Sequence, residues 1–508
     1  MRLLIATFLS FMSVVFAPIC SARDNDSSYI HLGKAKVAVR VLIVGDEATG
    51  SVDSILNSID IYAATLPIFA KDGYEQRTLM VRDGNVFHAE VPTETLENIG
   101  GLRIYKDGHF AGGFSVEMNQ SKPAGIALCL SDDGYIQSVA CDNYDMQGLI
   151  SLAVIPQRAL DINSYSYVAG APYGNGWKAV SEYLSTESWP KFLNATMSEC
   201  PLPESARSWL TNNIKVFFTY QYILNQKKLA HDFGRIDDCQ APMEAYEFLD
   251  SIDYRPNILL KYSTMLPLRY LFEFILKDMD GGMEAIGETP VNDWQSMVDK
   301  QLTKAMKSRP QFLLDMLAAM SYILQIEDGT ALTSVQLDNI SKGLPDDIGR
   351  IILNRNKRGV AMADNAAKLI DLSAQSFDLQ GYIDSEFPGR PVVVDLWNTW
   401  CGPCITAIHQ CEDILDDYKN SGIAFLYISD ESSPESKWRK MAEEIGFNQL
   451  RISTTDRDNL LEQYSLTGFP SYIFFDSNHN AVKAYTSFPG ERIYRQTLTE
   501  LQSQANEP

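Results

Sequence analysis

Val392-Val393-Val394-Asp395-Leu396-Trp397-Asn398-Thr399-Trp400-Cys401-Gly402-Pro403-Cys404 reads as a buried strand that runs into a Cys-x-x-Cys opening a helix. Two cysteines three apart at a helix start can close a small disulfide loop. The first thiol also sits where unpaired backbone N–H groups and the positive end of the helix dipole stabilise a thiolate. Cys401 is therefore the expected nucleophile. Its attack on a substrate disulfide gives a mixed disulfide. Cys404, one turn on and less exposed, is then the resolving thiol that releases the reduced substrate.

Outward from this motif, residues 366–505 alternate strand and helix: strand 392–394, a helix after Cys401, strand 423–429, a helix near 437–445 and strand 471–476. That order predicts an α/β module with at least one parallel crossover. Residues 175–359 have a helical period, with Leu210, Ile214, Phe217 and Leu224 on one face and Leu313, Met316, Leu317, Met320, Ile323 and Leu324 on another. A bundle of about six helices is expected there. Ser308-Arg309-Pro310-Gln311 has capping-box spacing, and Arg355, Lys357 and Arg358 before Gly359 read as a basic last turn and its stop. Residues 29–165 show short alternating runs such as Val37, Val39, Val41 and Ile43, punctuated by Asp83-Gly84, Asp107-Gly108 and Asp133-Gly134, the pattern of a β-rich, sandwich-like module. The Ser, Tyr, Gly and Pro of residues 163–175 read as a linker or long loop.

The 508 residues, 45% hydrophobic and 21% charged, suffice for several domains that each bury a core, and exclude disorder, collagen and coiled coil. A net charge of −22 repels phosphate backbones and anionic lipid, so nucleic acid is not an expected partner. Eight cysteines are too few for a disulfide scaffold, and histidines at 31, 88, 109, 231, 409 and 479 form no dense metal cluster. Met1-Arg2, an apolar run over residues 3–16 and Cys20-Ser21-Ala22 before Arg23 have the order of a secretory signal peptide, residues 1–22. Ala17-Pro18-Ile19 lacks the leucine and the small residue expected before a lipidated cysteine, which leaves anchoring at Cys20 the lesser reading. The apolar run over residues 312–326 is interrupted by Asp315 and is too short to span a bilayer. With Asn506-Glu507-Pro508 instead of a retention tetrapeptide at the end, the expected compartment is a bacterial periplasm or cell envelope.

Trp400-Cys401-Gly402-Pro403-Cys404 after an apolar strand resembles the thioredoxin superfamily, its envelope-targeted TlpA-type branch in particular. The resemblance covers only the C-terminal module. It extends to Thr467-Gly468-Phe469-Pro470-Ser471 before the strand Tyr472-Ile473-Phe474-Phe475, which is similar to the family's cis-proline loop. It implies a thioredoxin fold and a redox-active disulfide in place of any bound cofactor. It further implies that Trp400, Gly402, Pro403, Phe469 and Pro470 meet substrate, and that Asp395 takes the proton of the resolving thiol. An acid on an apolar strand is costly without work or a partner, so its pKa should be raised; pairing with a lysine in a structural role is the competing account. The implied partners are protein disulfides and a membrane electron donor of the thiol-transfer type. Gly-Pro between the cysteines is the pairing of reducing thioredoxins, near roughly −270 mV. His409 and Ala407 depart from the family, which has a proline eight residues after the first cysteine and, in some members, an acid on this helix.

Other readings of the same residues weigh less or stay open. Cys401, Cys404, His409 and Cys411 on one helix cannot wrap a metal tetrahedrally, and Cys411 reads as a core thiol beside Ile408 and Leu415. Ile405 stands where haem attachment needs histidine, and Val394 and Asn398 stand where a peroxiredoxin needs proline and threonine. Bridges Cys129–Cys141 and Cys200–Cys239 are conceivable, although a tight turn would set Cys129 opposite Gln137 or Ser138. A non-enzymatic envelope binding or scaffold protein with a vestigial thioredoxin domain remains the alternative, as does a disulfide oxidase or isomerase.

Overall fold

The computed structural model describes residues 29–44, 52–70, 75–107, 109–131, 133–142, 148–149, 158, 162–198, 204–233, 243–261, 268–277, 279, 282–363, 368–418 and 422–505. The signal peptide read at residues 1–22, with Cys20, and the Cys200–Cys239 pair lie outside them.

Alternating side chains build the first module. Its strands are β1 (Ile30–Val44), β2 (Ile59–Thr65), β3 (Gln76–Leu79), β4 (Val81–Asp83), β5 (Val86–Thr95), β6 (Glu97–Lys106), β7 (His109–Asn119), β8 (Ala124–Ser131) and β9 (Ile136–Cys141). They form two sheets, ordered β4-β5-β1-β8-β9 and β3-β2-β6-β7. Val37, Val39 and Val41 of β1 point inward, as their period of two requires. The Asp-Gly signals do mark hairpins: Asp83 pairs with Val86, Lys106 with His109, and Gly134 adopts φ +84° between β8 and β9. That left-handed conformation is one a glycine takes without steric cost. Cys129 stands opposite Ser138 and Cys141 opposite Ile126, so these two thiols are not bridged.

The helical stretch departs from expectation at three places. Residues 163–175 are not a linker: Ser164–Ala169 is α-helical, Tyr173–Asn175 is a 3-10 turn, and Val168 and Tyr173 are buried with the tyrosine hydroxyl donating to Val168 O at 3.0 Å. Burial of those two side chains overrides a loop-like composition. Ser308 does not cap. The helix Gln311–Glu327 starts after Pro310, which has no side-chain cap to offer, so Ser308 lies two residues outside the cap position, and Gln311, the first helical residue, donates its Nε2 to Gln295 and Asp315. The capping box is at Thr333 and Gln336, ahead of Ser334–Gly343. Gly359 does not stop its helix, which runs from Asp346 to Ala363. A single glycine costs a helix only about 1 kcal/mol, which packing can offset.

The sheets and these helices share one apolar core, Phe69 meeting Phe272 with ring centroids 6.1 Å apart. Lys261 fastens them further, its ammonium 2.7 Å from Glu117 and 3.4 Å from Glu97. No helix among the described residues is long and apolar enough to cross a membrane.

The C-terminal module is a six-stranded sheet of β10 (Lys368–Asp371), β11 (Val392–Leu396), β12 (Ala424–Asp430), β13 (Asn448–Ile452), β14 (Ser471–Phe475) and β15 (Ala481–Thr486), ordered β10-β13-β12-β11-β14-β15. β10, β13, β12 and β11 are parallel neighbours, and β14 and β15 run antiparallel. Helices Leu379–Glu386, Gly402–Tyr418 and Glu435–Ile445 connect the parallel strands, as parallel pairing demands, and Thr454–Gln463 leads from β13 to antiparallel β14. Central β11 is buried on both faces: Val392, Val394 and Leu396 enter one core, Val393 and Trp397 the other. This module rests on the first through Arg492, 2.8 Å from Asp60, and through Tyr62 Oη, which accepts from Glu491 N at 2.8 Å.

Candidate functional site

The end of β11 delivers the chain to Cys401, whose amide donates to Asn398 O at 3.0 Å before the helix begins at Gly402. Cys401 and Cys404 are joined by a disulfide, S–S 2.03 Å, with Cα atoms 5.3 Å apart. The amide of Cys404 donates to Cys401 Sγ at 3.2 Å. One of the helix's unpaired first-turn donors is thus spent on the sulfur expected to carry charge. Cys401 is 5% exposed and Cys404 fully buried, which is the accessibility order of attacking and resolving thiols. Gly402 and Pro403 are exposed beside them.

Trp400 is 56% exposed, a large apolar ring left in water at the lip of the disulfide. Its indole Nε1 donates to Ser432 Oγ at 2.9 Å, and its ring meets Phe469 edge to face at 5.9 Å. The Phe469–Pro470 peptide is cis, and Pro470 O accepts from Ser487 N at 2.7 Å. Pairing of Leu396 with Ser471 brings this loop to the end of β11 that feeds the cysteines. The structure therefore gathers Trp400, Cys401, Gly402, Pro403, Phe469 and Pro470 at one end of the sheet.

Asp395 lies below them on the sheet face shared with Val393 and Trp397, the face covered by the cysteine-bearing helix. It is buried, and its Oδ1 has no hydrogen-bond partner among the described residues. Burial pushes its carboxyl well above the ordinary carboxylate range, the nearby Tyr472 hydroxyl working weakly against this. Its register neighbours on the flanking strands are Tyr427 and Tyr472. The lysine-paired account of Asp395 finds no support, since no cation among the described residues contributes to its charge state. Cys411, Ile408 and Leu415 share the buried helix face, while His409 is half-buried elsewhere on the helix.

A polar cluster missed in the sequence braces the loop from behind. Asn398 Oδ1 accepts from Ser429 Oγ at 2.8 Å, from Ser433 Oγ at 2.7 Å and from Asp430 N at 3.1 Å. Ser433 Oγ in turn accepts from Thr399 N at 3.0 Å. The available signal was polar Ser429-Asp430 closing an apolar strand, because the carboxyl ends of parallel strands are where α/β proteins build sites.

Residues 362–498 match the family model described as Redoxin. Among curated proteins, thiol-disulfide oxidoreductase ResA of Halalkalibacterium halodurans is 22% identical over 137 residues, covering 27% of this chain and 74% of that protein. ResA of Geobacillus kaustophilus is 27% identical over 103 residues, 20% of this chain and 58% of that protein. Among solved structures, the thioredoxin domain of a thiol-disulfide oxidoreductase from Bacteroides vulgatus is 24% identical and covers 23% of this chain and 83% of that one, with a TM-score of 0.21. Each of these matches covers about a quarter of this chain or less.

Proposed function

We propose that this chain, whose residues 362–498 form a thioredoxin-like redoxin domain of the thiol-disulfide oxidoreductase kind, is exported to a periplasm or cell envelope and there reduces protein disulfides. The observation that carries the reading is the Cys401–Cys404 pair at a helix start, with a backbone amide aimed at the more exposed sulfur.

In the reduced protein, the Cys401 thiolate attacks one sulfur of a substrate disulfide. The substrate S–S bond breaks, one substrate thiolate leaves, and a mixed disulfide remains. Asp395, through the fraction of molecules in which its raised-pKa carboxyl is ionised, takes the proton of Cys404, and the Cys404 thiolate attacks Cys401 Sγ. The second substrate thiolate leaves, and Cys401 and Cys404 are left as the disulfide seen here. Two electrons have passed to substrate and one bond has been exchanged for another. Trp400, Gly402, Pro403, Phe469 and Pro470 form the surface against which the substrate peptide lies. An envelope reductant must be recharged by a thiol donor, and the resemblance to envelope thioredoxins points to a membrane protein that passes electrons by thiol transfer as that partner. The dithiol itself is the redox group, so no further cofactor or metal enters the cycle.

The test is reduction of insulin disulfides by the purified chain with dithiothreitol as electron source. Cys401→Ser is expected to abolish catalysis; undiminished turnover in that variant would refute the assignment.

A further inference from the structure

Asp430, at the end of β12, has a fully buried side chain, 0% exposed. Its Oδ2 accepts from Asn398 Nδ2 at 2.9 Å and from Arg457 Nη1 at 2.8 Å, and its Oδ1 accepts from Ser432 N at 2.7 Å. A buried carboxylate persists when a cation and hydrogen bonds replace its water, and here Arg457 is the cation.

The two arms of this cluster end on the two lips of the disulfide site. One arm reaches the cysteine loop. Asn398 O receives the Cys401 amide, and Ser432, whose own amide is held by Asp430, receives the Trp400 indole. The other arm reaches the cis-proline loop, where the Arg457 guanidinium lies over the Phe469 ring, 5.7 Å from its centroid. A second edge of that guanidinium is occupied, since Nε lies 2.7 Å from Asp458. With edges bonded to two carboxylates, its flat face is what remains for the ring. Phe469 in turn meets Trp400 edge to face.

We propose that Arg457 is a positioning residue for substrate selection: anchored on Asp430, it holds Phe469 against Trp400 so that the two rings present one rigid apolar lip to the polypeptide flanking the target disulfide. This rests on the oxidoreductase reading and adds to it the class of substrate favoured, a polypeptide disulfide with apolar flanking residues over a small free disulfide. A fixed aromatic pair gains affinity because its ordering cost is met before binding. An arginine that merely neutralised Asp430 would have no influence on which disulfide reacts.

The full chain is assayed with insulin and with hydroxyethyl disulfide, a small aliphatic disulfide with no flanking polypeptide to lie along the two rings. Arg457→Lys keeps a cation beside Asp430 but loses the flat stacking face. It should lower the ratio of kcat/KM for insulin to that for hydroxyethyl disulfide by about five- to tenfold, chiefly through the insulin KM. Asp430→Asn combined with Arg457→Gln removes the buried charge with its partner and should show the same loss in a folded protein. Adding Arg457→Lys to Phe469→Ala should produce little further loss, because Arg457 acts only through that ring. An unchanged ratio in both Arg457 variants, or losses that simply add with Phe469→Ala, overturns the proposal while leaving the oxidoreductase intact. A wild-type chain inert toward both disulfides overturns the oxidoreductase reading, and this one with it.

Discussion

The backbone amide of Cys404 donates to Cys401 Sγ across 3.2 Å, so under the proposed mechanism the resolving residue would also stabilise charge on the attacking one once the disulfide is reduced. Together with the greater exposure of Cys401, this ties reactivity to one sulfur of the pair. In the reduced chain, iodoacetamide is expected to modify Cys401 at least tenfold faster than Cys404 at neutral pH. Peptide mass spectrometry of a timed alkylation checks it; equal rates, or Cys404 first, would reverse the assigned roles.

Asp395 gives a pH-dependent prediction whose sign is fixed by burial. Its folded-state pKa is raised above the unfolded value, near ~3.9 for an aspartate. The folded chain therefore keeps a proton that the unfolded chain loses. The stability contributed is complete below the unfolded pKa and is lost as pH rises through the folded one. Asp395→Asn should be more stable than wild type at neutral and alkaline pH, with the difference vanishing toward pH 3. Resolution of the mixed disulfide should slow by about a hundredfold, the scale of losing a general base. Thermal unfolding across pH, with quenched-flow trapping of the mixed disulfide, reads both; a variant with wild-type resolution would remove Asp395 from the mechanism.

The motif and its strand were readable because they are local. An unbroken apolar run makes Asp395 conspicuous, and a helix start is written into Cys401-Gly402-Pro403-Cys404 itself. The cis-proline loop was readable only through resemblance, since nothing in Phe469-Pro470 alone places it beside Trp400. Asn398, Ser433, Asp430 and Arg457 were not readable as a group. They come from separate segments, and the parallel register setting Leu396 beside Ile428 is a tertiary fact. Residues 163–175 show the converse, since tertiary burial of Val168 and Tyr173 outweighed a loop-like composition.

The contact between the β-rich and C-terminal modules has an asymmetric ion pair: the Asp60 side chain is 8% exposed and that of Arg492 is 43% exposed. Removing the buried partner lets the other return to water, whereas removing the exposed one strands a carboxylate. Arg492→Ala should therefore cost roughly 1–3 kcal/mol, and Asp60→Ala under about 1 kcal/mol. Urea unfolding curves of the two variants compare them; the reverse order would mean that Asp60 is not held by Arg492.

The reduction potential of the Cys401/Cys404 pair bears most directly on the proposed activity. The purified chain is equilibrated in graded thiol buffers, and its free thiols are counted by mass. A protein disulfide reductant should fall near the thioredoxin end, at roughly −270 mV. A value near about −120 mV would make the chain an oxidant, and a pair that never forms a disulfide in solution would contradict the dithiol mechanism altogether.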